Sequence, residues 1–143
     1  MRIEVIHSYK ELTVWQKSVD LVTAIYEVTS NFPREEIFGL TSQMRRAAVS
    51  IPSNIAEGRS RGSKKDYVQF LRTAFGSGAE LETQVIIARR LPEMRDLPYE
   101  KVGNLLEEVM KMLNVMIRKM NPSFVKAKAA SEAEKLERYI YGS

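Results

Sequence analysis

Cysteine is missing from this 143-residue chain, and histidine occurs once, as His7. Without thiols there is no disulfide framework, no thiolate metal site and no cysteine nucleophile. One histidine near an end leaves imidazole metal sites and serine–histidine relays without their parts. No metal, no cofactor and no enzymatic activity are therefore expected. Long apolar runs are lacking too. Charged or polar residues break each one well short of the about 18 residues that a membrane span requires, and MRIEVIHSYKEL carries no run of signal-peptide length. The expectation is a soluble, cytoplasmic protein with no membrane partner. Its length suits one domain with its own core, and no repeat of solenoid period is visible.

Four segments with helical periodicity fill most of what is there. In residues 12–32 one stripe runs Leu12, Trp15, Val19, Val22, Tyr26, Thr29, and a second beside it runs Val14, Ser18, Leu21, Ile25, Val28, Phe32. Both step by threes and fours, so the apolar face is wide enough to touch two other helices or a second subunit. Pro33 stops this helix. The next segment carries Ile37, Leu40, Met44, Ala47, Ile51, Ile55 and Gly58, with Thr41 or Ser42 as a cap and Gly58 suited to the end. Pro52 lies inside it. A kink is expected there, with Ser50, Ser53 and Asn54 placed to bond the freed carbonyls.

The third segment, Tyr67, Leu71, Ala74, Gly78, Leu81, Val85, Ala88, is an unbroken heptad seam. Gly76 and Gly78 read as close-packing positions rather than a phosphate loop, since no Lys-Ser/Thr pair follows them. Residues 91–98, with two prolines, read as a loop. A fourth segment shows Val102, Leu105, Val109, Leu113, Met116 and Met120, widened by Leu106, Met110 and Ile117. Met110, Met112, Met116 and Met120 read as core or subunit-interface filling. Helices of this length joined by short loops imply an all-α, antiparallel up-down-up-down four-helix bundle over residues 1–122. Residues 123–143, rich in Ala, Lys and Glu, form a C-terminal helical extension in this reading. Their composition resembles designed or linker helices, which leaves open that part of the tail is not native.

Charge is concentrated between the second and third segments. Arg45, Arg46, Arg59, Arg61, Lys64, Lys65 and Arg72 face only Glu57 and Asp66 within residues 39–79, a net +5 where the whole chain is +4. A basic patch on an otherwise balanced chain marks a polyanion partner. Arg59, Arg61, Lys64 and Lys65 occupy a turn spaced by Ser60, Gly62 and Ser63, which suits the gripping of phosphate oxygens by forked donors. Ser63 can cap the third helix, whose amides add to that field. Arg72 extends the patch. The other reading of these five residues is a solvated turn. Arg45 and Arg46 pair with Glu80 and Glu82 in an ion-pair network inside the bundle, or one arginine faces a channel and meets phosphate. Arg89 and Arg90 complement a helix dipole. Tyr67 and Phe70 follow the apolar period and read as core, and Glu57 with Glu80 lacks the partners of an acid/base pair.

The runs VWQKSVDLVTAIY, FPREEIFGLTSQMRRAAVSIPSNIAEG and SKKDYVQFLRTAFGSGAELETQ resemble the proteins encoded in intervening sequences of bacterial 23S ribosomal RNA genes. The resemblance covers nearly all of residues 12–120 and leaves out the tail. It implies a four-helix bundle that assembles into a cyclic homo-oligomer, a pentamer, with no enzymatic activity. That family is in turn similar to accessory proteins of diversity-generating retroelements, which are basic pentamers that bind nucleic acid and a reverse transcriptase. Two functions follow as expectations. One is a non-catalytic oligomer that binds RNA or DNA backbone through the basic turn. The alternative is a protein-interaction scaffold that binds a protein partner and no nucleic acid.

Overall fold

The structure is a computed structural model that describes residues 8–120 and Ile140. The expected tail helix lies outside the described residues, apart from that one position. Among the described residues there are four long α-helices and no strand: α1 Thr13–Thr29, α2 Leu40–Ser60, α3 Lys64–Arg90 and α4 Glu100–Met120, with 3-10 turns at Tyr9–Glu11 and Arg34–Glu36. The main packing partners close a circuit: α1 lies against α2 and α4, and α3 against α2 and α4. Polar pairs mark the heights at which neighbours meet. Lys17 bonds Glu108 at 3.2 Å, Lys101 lies 3.8 Å from Glu27, and the Ser50 and Ser77 hydroxyls are 2.8 Å apart.

Leu21, Ile25, Met44, Ile51, Ile55, Leu71, Leu81, Val102, Val109 and Leu113 meet in the centre, fully buried. Burial of each contributes about 1.5–3 kcal/mol relative to exposure. The α3 seam is the one expected from Leu71 to Ala88, with Tyr67 half-buried at its start. In α1 the second stripe is the core one: Val14, Ser18, Leu21, Ile25 and Val28 are buried, whereas Trp15, Val19 and Val22 are half-buried and Tyr26 is exposed. Ser18 tolerates the core because its hydroxyl donates to the Trp15 carbonyl at 2.8 Å. In α4 the buried line is Val102, Leu106, Val109, Leu113, Ile117, so Leu105 and Met116 stand at its margin.

Local details depart from expectation at α2. Gly39 occupies its cap position, and Glu36 Oε1 accepts the Leu40 N–H at 3.1 Å, so neither Thr41 nor Ser42 caps the helix. Thr41 is buried within the first turn, and Ile37, before the helix, is exposed. α2 continues through Pro52 to Ser60. Asn54 Nδ2 does bond a carbonyl at 2.8 Å, but that of Ser50, and Ser50 turns its hydroxyl to Ser77 on α3. Gly58 ends nothing. A Cβ there would stand 2.7 Å from Phe70 Cβ, so its bareness lets α2 and α3 touch. Gly78 similarly faces Met110, whereas Gly76 is exposed with open space around it and has no packing role.

Candidate nucleic-acid interface

α2 and α3 are joined by a turn of three residues, and Gly62 has φ 87°, a left-handed conformation that side-chain-bearing residues rarely adopt. Ser63 then caps α3 as expected, its Oγ accepting the Asp66 N–H at 3.1 Å. This tight reversal brings the end of one cation-bearing helix against the start of another.

The five candidate residues split into two groups. Arg59 and Arg61 lie down on the aromatic residues of α3. The Arg59 guanidinium is 5.9 Å from the Tyr67 ring centroid, and its Nε is buried without a hydrogen-bond partner among the described residues. The Arg61 guanidinium is 5.0 Å from the Phe70 ring, and its Nε donates to Glu57 Oε2 at 2.9 Å. Burial pushes the Tyr67 hydroxyl above its ordinary value, and the nearby Arg59 charge pulls it back in smaller measure. Tyr67 and Phe70 therefore serve as half-buried supports for cations rather than as open stacking platforms.

Lys64, Lys65 and Arg72 form the second group. All three are exposed, and they line one open groove of about 420 Å³ with Val68, Gln69 and Met120. Eight residues of helix separate Lys64 from Arg72, about 12 Å along the axis. Among the described residues no ion pair takes in any of the three. Met120 in the groove wall brings the last turn of α4 to this end of the molecule, and that turn carries Arg118 and Lys119. Sequence reasoning missed these two. They look like ordinary helix-end cations, and only the pairing of α3 with α4 brings their turn to the same end of the molecule as Lys64 and Lys65.

The Arg45, Arg46, Glu80, Glu82 network is not formed. Arg45 turns to α1 instead: its Nε donates to Thr29 Oγ1 at 2.9 Å and its Nη2 to the Tyr26 carbonyl at 3.4 Å. Arg46, Glu80 and Glu82 are exposed, and none of the four belongs to an ion pair among the described residues. The reason is position on the helix. Arg45 lies at the α1 edge of α2, so the nearest acceptors are a hydroxyl and a carbonyl of α1. With Tyr26, Ile37, Thr41, Ser42, Arg46, Val49 and Ser50 it lines an open cleft of about 610 Å³. At the other end of α3, Arg89 lies 6.0 Å from the Tyr99 ring, so it stacks as well as complementing the helix dipole.

No helix among the described residues is long and apolar enough to cross a membrane. No curated protein matches the chain. The family described as 23S rRNA-intervening sequence protein matches residues 10–115, a span that takes in α1, α2, the basic turn, α3 and most of α4. The chain belongs to the 23S rRNA-intervening sequence protein family.

Proposed function

We propose that this chain is a non-catalytic nucleic-acid-binding protein that grips phosphate backbone with the end of the molecule where α2 turns into α3. The observation that carries this reading is the groove of Lys64, Lys65 and Arg72, three exposed cations on about 12 Å of helix, with Arg118 and Lys119 at the same end. Arg59 and Arg61 contribute field more than contacts, because aromatic rings and Glu57 already hold them. Such a site reads charge and spacing, so RNA and DNA both fit and base sequence goes unread. The bundle is antiparallel up-down-up-down in this reading, supported by the heights at which Lys17 meets Glu108 and Glu27 meets Lys101.

Titration of a labelled single strand, RNA and DNA in turn, at about 50 and about 200 mM salt tests it. Binding should weaken steeply with salt, and alanine at Lys64, Lys65 and Arg72 should flatten the log–log slope by about 2. Binding that is absent at low salt, or indifferent to these substitutions, would overturn it.

A scaffold reading has its own support. Phe38 is 94% exposed, and Tyr26, Ile37 and Val49 are exposed on the α1–α2 side, as are Ile86 and Ile87 on α3. Apolar surface of this kind suits contact with protein, including further copies of the chain in a closed homo-oligomer. Light scattering without nucleic acid tests assembly, and a monomer at every concentration would count against it.

A further inference from the structure

The first turn of α2 lies at the far end of that helix from the basic turn, about 28 Å along the axis from Ser60. Two clefts adjoin there. The cleft of about 610 Å³ shares Ile37, Thr41 and Arg45 with a smaller one of about 280 Å³ that takes in Arg34. Arg34, Arg45 and Arg46 thus line one joined recess, and among the described residues no ion pair takes in any of them. Arg45 is held in place, because its Nε donates to Thr29 and its Nη2 to the Tyr26 carbonyl. Three of its five N–H donors are left over in a set position.

The backbone adds donors of the same sense. Glu36 Oε1 takes the Leu40 N–H at 3.1 Å and Gly39 takes the Gln43 N–H, whereas the Thr41 and Ser42 amides between them have no acceptor among the described residues. Thr41 is unmet in its side chain too. It is only 5% exposed, it lines both clefts, and no hydrogen bond among the described residues takes in its hydroxyl. A buried hydroxyl without a partner costs free energy, and a ligand oxygen in the recess would remove that cost. Exposed Ile37 and Val49 give the larger cleft an apolar wall.

We propose that this recess binds a small phosphate monoester. The phosphate sits on the Thr41 and Ser42 amides, the Thr41 hydroxyl and the guanidinium groups of Arg45 and Arg46, with the apolar or aromatic group of the ester against Ile37 and Val49. Free amides and the positive end of the dipole make a helix start a phosphate site, and here cations and an unmet buried hydroxyl stand beside it. Glu36 keeps its carboxylate on the Leu40 amide, which confines the phosphate to the next two. A recess of this volume suits one molecule of about nucleotide size rather than a polymer. It shares no residue with the groove of Lys64, Lys65 and Arg72, so the site does not depend on the nucleic-acid reading.

Titration of the full chain with phenyl phosphate at fixed ionic strength, followed on its amide resonances by NMR, tests the site. The largest shifts should fall on the Thr41 and Ser42 amides. Inorganic phosphate, which lacks the ring, should move the same amides with about tenfold weaker affinity, and phenol should leave them in place. Arg46→Gln should weaken phenyl phosphate binding about tenfold, and the near-isosteric Thr41→Val about three- to tenfold. Arg90→Gln makes the same charge change as Arg46→Gln at an exposed position on α3 and should not weaken it. Shifts confined to residues 64–72, equal affinity for phosphate and phenyl phosphate, or equal losses in Arg46→Gln and Arg90→Gln overturn the proposal. So does Thr41→Val binding as tightly as the wild type, because the buried hydroxyl would then have no part in the site.

Discussion

Arg45 Nε donates to Thr29 Oγ1 at 2.9 Å while its guanidinium lies 4.3 Å from the Tyr26 ring centroid, so one α2 side chain clasps the last turn of α1. The Thr29 hydroxyl is buried and donates to the Ile25 carbonyl at 2.6 Å, which leaves its oxygen free to accept. Arg45→Met keeps the apolar stem and removes the bond and the stacked charge. The expected cost is about 1–2 kcal/mol in urea unfolding. Glu80→Gln and Glu82→Gln should each stay within about 0.5 kcal/mol, as exposed groups do. A loss at Glu80 or Glu82 equal to that at Arg45 would restore the carboxylate network that the geometry denies.

The same residue shows what a sequence can and cannot disclose. Periodicity located all four helices, because a 3.6-residue repeat follows from burying one face of a helix. It selected the right seam in α3, where the buried line from Leu71 to Ala88 keeps a strict alternation of threes and fours. In α1 and α4 two adjacent lines share the same spacing, and which one turns inward depends on neighbours that the repeat does not encode. Charge clustering found the basic end for the same local reason. Partner choice is different: Arg45, Arg59 and Arg61 each reach several ångströms to whatever lies beneath them, here Thr29, Tyr67 and Phe70. Arg118 and Lys119 are far from Lys64 in sequence, and their turn reaches the same end of the molecule only through helix pairing.

Three glycines inside helices should respond differently to alanine. At Gly76 there is open space, so Gly76→Ala should stabilise by about 0.5–1 kcal/mol through helix propensity alone. At Gly58 the new Cβ would meet Phe70 Cβ at 2.7 Å and Tyr67 Cδ1 at 3.2 Å, atoms close to the α3 backbone. The α2–α3 contact must open, and Gly58→Ala should destabilise by about 1–3 kcal/mol. Gly78 meets the flexible thioether of Met110, which can move aside, and should fall between the two. Thermal melts that ranked Gly58→Ala above Gly76→Ala would refute the close approach of α2 to α3.

Alkaline stability should bear the mark of two tyrosines. Burial raises the hydroxyl of Tyr67, opposed by Arg59, and that of Tyr99, opposed by Arg89. Tyr99 also donates to the Met94 carbonyl at 2.7 Å, a bond only the neutral form can make. Their folded values lie above the unfolded value of about 10, so between the two the unfolded chain has released protons that the folded chain keeps. Their stabilising effect is thus complete below about pH 10 and is lost as pH rises through the folded values. Urea midpoints of wild type and Tyr67→Phe, which share every other titrating group, should differ by a constant below about pH 9, and the wild type should fall relative to the variant above about pH 10. A constant difference across the range would mean that Tyr67 titrates as if exposed. Absorbance titration should show Tyr67 and Tyr99 ionising above about pH 10.

Glu57 restrains a cation that nucleic acid could otherwise use. Its Oε2 takes the Arg61 Nε–H at 2.9 Å one helical turn away, with both side chains about half exposed. An i,i+4 pair in that setting is worth only about 0.3–0.5 kcal/mol, so Glu57→Gln should leave the fold and its melting almost unchanged. The guanidinium is then free to leave Phe70 and reach a phosphate from the same end as Lys64 and Lys65. One added phosphate contact steepens the log–log salt slope of single-strand binding by about 0.7. Glu93→Gln makes the same change in net charge on the loop after α3, far along that helix from the basic turn, and should not steepen the slope. If both substitutions act alike, net charge alone governs the affinity and Arg61 has no place in the interface. A steeper slope for Glu57→Gln alone would show that the turn binds through individual cations, and that an acidic neighbour one helical turn away sets how many of them are available.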